Sequence, residues 1–156
     1  MSTQTLLPFE THQALKFLLA GCATFTAQSD KTGTRFTYKV KRADAKVEGQ
    51  EPPRLWFVSL LSGPDNEADF QYLGLIRPPR ENQDGPLAFE HGVKSRIAPT
   101  APSFVAANWV ISHLLRNRPT PSCSVYHEGR CGRCGRKLTV PESIVSGFGP
   151  ECIQHV

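Results

Sequence analysis

Three cysteines near the end of the chain have the residue type and the spacing of a metal site. Cys131 and Cys134 form a C-x2-C pair, and Cys152 follows Cys134 with seventeen residues between them. Two thiolates at this spacing can bind one tetrahedral Zn²⁺ when the backbone forms a tight knuckle, and the glycines beside the pair allow that turn. The sequence therefore predicts a zinc site with three cysteine ligands.

Two histidines are candidates for the fourth ligand of this site. His127 lies four residues before the first cysteine on a predicted strand, and His155 lies three residues after the last cysteine, about one helical turn away. Four protein ligands would close the coordination shell, so a structural zinc is expected rather than a catalytic one. Cys22 and Cys123 fall outside the spacing and are predicted to be buried thiols, with Cys123 as a reserve ligand.

The composition is that of an ordinary globular protein. Of the 156 residues, 39% are hydrophobic and 21% are charged, and the formal net charge is +4. The first ten residues show no basic stretch followed by an apolar core, and no apolar run is long enough to cross a bilayer. We therefore expect a cytoplasmic protein without a membrane partner, whose cysteines stay reduced and bind metal. The mild positive charge permits a nucleic-acid partner without requiring one.

The elements that must position the cysteines are predicted from periodicity. Alternation of apolar and polar residues on both sides of Gly33 indicates an antiparallel hairpin. An almost wholly apolar stretch, residues 54–61, is typical of a central strand buried on both faces. Helical spacing of apolar residues predicts two helices, the second with Ser103 as its N-cap. The predicted strands are 23–29, 34–41, 54–61 and 70–76, with a short edge strand within 89–97, a solvated turn at 62–69, and helices at 10–20 and 103–116.

The predicted fold class is α+β, with two parts. Residues 1–118 would form an antiparallel sheet of about four strands, covered on one face by two helices. A proline-rich linker then begins a zinc-binding module, residues 119–156, of treble-clef or ribbon-like type. This module has little apolar surface, so we expect the metal to stabilise it and its loss to loosen the last thirty residues or so while the sheet stays folded.

Basic residues are the second candidate for a functional surface. On the second hairpin strand, Arg35, Lys39 and Lys41 share one face, with threonines of the first strand expected beside them. Such a face could follow a phosphate backbone, although a solvated face without a partner has the same pattern. The other candidate cations of this surface are Arg42, Lys94, Arg96, Arg130, Arg133 and Arg136.

The cysteine segment resembles a domain-of-unknown-function family that is widespread in tailed phages. The shared pattern is C-x2-CGR-x-L, then PES, then GxGPxC, and its matching positions here are Cys131, Cys134, Arg136, Leu138, Pro141, Glu142, Ser143, Gly147, Gly149, Pro150 and Cys152. Three upstream stretches also resemble longer phage members. The resemblance implies a bacterial host cytoplasm, and it favours His127 as the fourth ligand because a histidine ahead of the first cysteine recurs in the family. It implies no activity.

Two functions of different class remain open from the sequence. The first is a small phage accessory protein that binds nucleic acid in replication or host takeover, with a structural zinc. The second is a protein-binding inhibitor or adaptor, for example an antagonist of a bacterial defence system. His12, His91 and His113 are scattered, and the chain has no GxSxG, HExxH or phosphate-binding glycine loop. We therefore predict that the protein is not an enzyme. Its oligomeric state is left open.

Overall fold

A computed structural model describes residues 9–63, 69–139 and 141–156. The predicted turn at 62–69 lies mostly outside these residues, as does most of the N-terminal stretch of ten residues for which no signal sequence is predicted. The chain forms α1 (Thr11–Leu18), β1 (Cys22–Ser29), β2 (Arg35–Arg42), β3 (Trp56–Leu61), β4 (Phe70–Arg77), β5 (Ala88–His91), α2 (Pro102–Leu115), β6 (Cys123–His127), α3 (Pro141–Ser146) and a final 3₁₀ helix (Cys152–His155). Among the described residues, no helix has the length and apolar character of a membrane-crossing segment.

The α+β class is confirmed, but in the described part of the chain the sheet has six strands rather than about four. All strand pairs are antiparallel, in the order β5-β4-β3-β2-β1-β6. The additional outer strands are β5, expected only as a short edge element, and β6, which pairs along β1. The division into parts at residues 118 and 119 stays a prediction. The ladder between β1 and β6 joins the two predicted parts, and β6 leads directly into the cysteine segment.

The core lies between one face of the sheet and the first two helices. Tyr38 of β2 is fully buried there, and its hydroxyl donates a 2.6 Å hydrogen bond to the Ser103 carbonyl in α2. Trp56 of β3 is also buried, and its indole N–H donates to the Leu19 carbonyl at the end of α1. The alternation of residues in the hairpin therefore predicted its inner face correctly, and both helices pack on that face.

Two local predictions are wrong. The N-cap of α2 is Ala101 rather than Ser103, because Pro102 occupies the first helical position, where its missing N–H costs nothing. The central strand β3 is buried on one face only, since Phe57 is 41% exposed between buried neighbours. An apolar run suggested burial on both faces, but the helices cover just one face of this sheet.

Candidate functional site

Backbone hydrogen bonds close the C-x2-C knuckle. The Gly135 N–H donates to the Cys131 carbonyl, and the Cys131 N–H donates to the Arg136 carbonyl, each at 2.8 Å. Gly135 has a φ of 80°, in the left-handed region that glycine adopts without a steric penalty. An antiparallel bridge between Arg130 and Lys137 flanks the turn. The knuckle is therefore the tip of a short hairpin, and glycine permits its tight reversal.

The structure brings the three predicted cysteine ligands together. The Sγ atoms of Cys131, Cys134 and Cys152 all lie within 4.8 Å of one another. Tetrahedral zinc with bonds of about 2.3 Å separates neighbouring thiolate sulfurs by about 3.8 Å, which fits this cluster. Cys131 and Cys152 are buried and Cys134 is exposed. Soft thiolate donors suit zinc better than calcium or magnesium. The three cysteines could therefore hold a metal ion.

Hydrogen-bond donors point at two of the sulfurs. The Gly149 N–H lies 3.4 Å from Cys131 Sγ, and Arg133 Nη1 lies 3.7 Å from Cys152 Sγ. Burial raises the pKa of Cys131, but hydrogen bonds from the backbone N–H groups of Gly149, Cys134 and Arg133 and from the Cys134 thiol outweigh burial and lower it to about 7. Burial raises the pKa of Cys152 and the two neighbouring thiols raise it further, while the hydrogen bond from Arg133 partly offsets the increase. Since a metal binds the thiolate form, Cys131 is more readily available as a ligand than Cys152.

The two candidate histidines lie in different surroundings. His127 is 2% exposed; its Nδ1 accepts a 2.9 Å hydrogen bond from the Gly129 N–H, and its Nε2–H donates to the Ile144 carbonyl. His155 is exposed on the 3₁₀ helix that begins at Cys152. Within the described residues, neither histidine belongs to the three-sulfur cluster. Both ring nitrogens of His127 are therefore engaged by the backbone, whereas His155 is open to solvent.

The cysteine segment packs tightly against α1. A Cβ added at Gly132 would lie 2.5 Å from the Phe17 ring, and one added at Gly147 would lie 2.9 Å from it. The Gly132 N–H donates to the Gly147 carbonyl at 2.9 Å, and the rings of Phe17 and Phe148 have centroids 5.8 Å apart. Glycine at positions 132 and 147 thus allows the close approach of the loop to a core aromatic ring. The cysteine site is joined to the main core.

The two other cysteines are half-buried and, in the part of the chain that the structure describes, lie outside the cluster. Burial raises the pKa of Cys123, consistent with a thiol that stays protonated. Cys22 begins β1, and its N–H donates to the Gly132 carbonyl at 2.8 Å. Its Sγ would lie 3.2 Å from a Cβ added at Gly135. Cys22 therefore marks the point where the knuckle rests on the sheet.

The predicted basic face of the sheet is present, on the side opposite the helices. Arg35 and Lys41 are exposed on β2, and the partly buried Lys39 places its ammonium 4.5 Å from the centre of the Phe70 ring. Lys39 is directly opposite Thr24 of β1. The cations and threonines predicted to share a face therefore do share it.

The remaining candidate cations differ in exposure and in contacts. Arg42 lies with the opposite strand parity, and its guanidinium donates to the carbonyls of Pro52 and Pro53. Arg130 is partly buried, and its Nη1 donates to the Gly135 carbonyl at 3.3 Å. The cations with exposed positions are Lys94, Arg96, Arg133 and Arg136. Most of the predicted cations therefore lie at the surface, whereas Arg42 binds the loop that contains Pro52 and Pro53.

Sequence reasoning missed two aromatic residues on the same outer face. Phe57 and Tyr72 meet edge to face, with ring centroids 6.3 Å apart. They line an open groove of about 560 Å³ together with Leu75, Arg80 and Lys94. The signal was present in the sequence as the alternate positions of the apolar run around Phe57, but the run was interpreted as buried on both faces.

Comparison with known proteins identifies a similarity for the cysteine segment. Residues 124–156 match a family described as "Family of unknown function (DUF6011)". No curated protein and no solved structure matches the chain. The expectation of a family of unknown function at the C-terminal end is therefore confirmed. The segment that carries the three clustered cysteines, from β6 to the last residue, is similar to that family.

Proposed function

We propose that this protein binds nucleic acid with the outer face of its sheet, and that a structural zinc holds the C-terminal segment in place. The observation that carries the proposal is the row of side chains that crosses the sheet in register. Cys22 pairs with Lys41, Lys41 with Phe57, Phe57 with Leu75, and Leu75 with Glu90. The row spans five strands, about 19 Å at the usual strand spacing.

Cations border both ends of this row. The knuckle, with Arg133 and Arg136 exposed, rests on Cys22, and Lys41 is exposed beside it. Arg80 and Lys94 lie at the far end, beside the groove. Exposed cations at both ends of a row across the sheet are complementary to a phosphodiester backbone that follows the row, and binding of that backbone releases condensed counterions. A phage accessory protein of replication or host takeover, in the cytoplasm of a bacterial host, is the biological setting that we propose.

For the metal, we propose Zn²⁺ bound by Cys131, Cys134 and Cys152, with His155 as the fourth ligand. His155 is favoured over His127 because binding through His127 would break a backbone hydrogen bond of a buried ring. The C-x2-H spacing of Cys152 and His155 lets one helical turn supply both ligands. A closed shell of four protein ligands gives zinc a structural role and leaves it no catalytic one.

The binding proposal is tested by fluorescence anisotropy with a labelled mixed-sequence oligonucleotide between 50 and 200 mM salt. Affinity should fall steeply with salt, and Lys41→Glu should weaken binding by about tenfold or more, since a cation is replaced by an anion on the contact face. Lys31→Glu is the matched control, because Lys31 is exposed in the β1–β2 turn, away from the row. Equal effects of the two variants would contradict the proposed surface.

A second candidate function, binding of a protein partner, is favoured by one observation. Val105 and Trp109, one helical turn apart on α2, are 54% and 38% exposed. An exposed tryptophan beside an aliphatic residue is typical of an interface anchor. In pull-downs from bacterial lysate, a single protein retained after nuclease treatment and lost with Trp109→Ala would support an inhibitor or adaptor. Recovery of nuclease-sensitive material alone would support nucleic-acid binding.

A further inference from the structure

We propose that the groove beside Phe57 and Tyr72 binds the unpaired bases of a single-stranded nucleic acid. This inference rests on the proposed function and names its substrate class. It starts from the exposure of Phe57, which is 41% accessible in the middle of a sheet whose other face carries the buried core. A large aromatic ring left open at the centre of a sheet offers a stacking surface that a duplex, with its bases already stacked, cannot use.

The aromatic pair is fixed in position by its surroundings. Phe57 and Tyr72 support each other edge to face, with centroids 6.3 Å apart. The Tyr72 ring lies closely over the backbone of Gly92, where an added Cβ would stand 2.4 Å from the ring. Ser95 donates a 2.8 Å hydrogen bond to the Tyr72 carbonyl. The groove is therefore held by strands and backbone contacts, and its rings need little ordering when a base arrives.

Charge complementarity identifies the occupant. Among the titratable residues that line the groove, Glu90 is paired with Arg77 at 2.6 Å, which leaves Arg80 and Lys94 as exposed cations. Lys41 is directly opposite Phe57 on the neighbouring strand. Apolar rings between cations match the alternation of bases and phosphates along a single strand. An apolar partner surface would leave these cations without counter-charges.

The test compares the affinity of the zinc-loaded protein of 156 residues for a labelled twelve-nucleotide oligo(dT) or oligo(U) and for a duplex of equal length, at one salt concentration. We expect tighter binding of the single strands, and Phe57→Ala should weaken it by about fivefold or more, the effect of losing one stacked base. Phe57→Trp keeps a stacking ring, so it should retain affinity, and the oligonucleotide should quench its added fluorescence. Trp109→Ala, which removes an exposed ring from α2, is the control.

The outcomes separate this inference from the proposed function. Binding that is equal for duplex and single strand, or unchanged in Phe57→Ala while circular dichroism shows a folded protein, would overturn the groove as a base-stacking site but leave nucleic-acid binding intact. Absence of binding to every oligonucleotide at 50 mM salt would overturn both. A preference for oligo(U) over oligo(dT), or the reverse, would support the inference and show that the groove distinguishes the two strands by the sugar 2′-hydroxyl or by the thymine methyl group.

Discussion

At the scale of single residues, glycines decide how closely the cysteine segment can approach the core. Gly132 lies inside the C-x2-C pair and Gly149 lies three residues before Cys152, so both belong to the candidate metal site. An added Cβ at Gly132 would meet the buried Phe17 ring at 2.5 Å, whereas one at Gly149 has no atom within 4 Å. The two glycines therefore both lie beside the candidate metal site, but only Gly132 is tightly packed.

Gly132→Ala is expected to lower the free energy of unfolding by about 1–3 kcal/mol, the usual cost of overpacking a filled core. Phe17 is 1% exposed, so its ring cannot swing away into solvent. Gly149→Ala is the matched control, and it should change stability by less than about 0.5 kcal/mol. Urea unfolding followed by circular dichroism measures both. Equal destabilisation by the two variants would contradict the predicted contact.

Buried His127 should make stability depend on pH. Burial lowers its pKa in the folded protein, partly offset by the hydrogen bond to the Ile144 carbonyl. The unfolded chain then binds the proton more tightly, so the contribution is complete above the ordinary histidine pKa of about 6.5 and is lost as the pH falls below it.

We therefore expect the unfolding free energy of the native protein to fall more between pH 7.5 and pH 5.5 than that of His127→Gln. The difference should be at most about 1.4 kcal/mol per pH unit below 6.5. His12→Gln, at an exposed histidine, should keep the native pH dependence. Denaturant titrations at the two pH values make the comparison. A His127→Gln profile parallel to that of the native protein would contradict the prediction.

At the scale of elements, the cysteine segment continues directly from the sixth strand of the sheet. β6 pairs with β1 from Cys123 to His127 before the chain turns into the knuckle. The Glu128 carboxylate accepts a hydrogen bond from the Thr26 hydroxyl of β1, just past the end of that ladder. Loss of the proposed zinc should therefore loosen the knuckle, α3 and the last helix first, and then β6.

Cys131→Ser is expected to reduce bound zinc from about one equivalent to a small fraction, because the loss of one thiolate opens the proposed shell of four protein ligands. Amide hydrogen exchange in residues 131–156 should accelerate. Cys123→Ser is the control, since Cys123 lies on β6 outside the sulfur cluster, and it should keep its zinc. Metal analysis by mass spectrometry and exchange rates are the measurements. Full zinc retention by Cys131→Ser would overturn the ligand assignment.

At the scale of the whole molecule, one apolar core joins the sheet, the helices and the cysteine segment. Cys131, Leu138, Phe148 and Cys152 belong to the same cluster of buried residues as the sheet and the first two helices. The sequence suggested that the segment could loosen by itself, but the shared core predicts a cooperative response. Unfolding of the segment would uncover Phe17 and one edge of β1.

Chelation of the metal should accordingly lower the temperature of a single unfolding transition rather than create a second one. The expected shift is on the order of 10 °C, because each kcal/mol changes the midpoint by about 2–4 °C in a domain of this size. Scanning calorimetry with and without a chelator, followed by return of Zn²⁺, measures it. Two separate transitions in the chelated protein would instead support independent unfolding of residues 119–156.

Local patterns in the sequence were enough to predict the local features of this protein. The C-x2-C spacing, the glycines and the GxGPxC turn predicted the three clustered sulfurs, because ligand spacing and backbone freedom are properties of a few neighbouring residues. Alternation predicted the hairpin and the parity of its cations. Tertiary structure alone decided which face of β3 is covered, that β6 joins β1, and that His127 is enclosed by backbone groups. These features depend on contacts between residues far apart in the chain, whose energies no local pattern records.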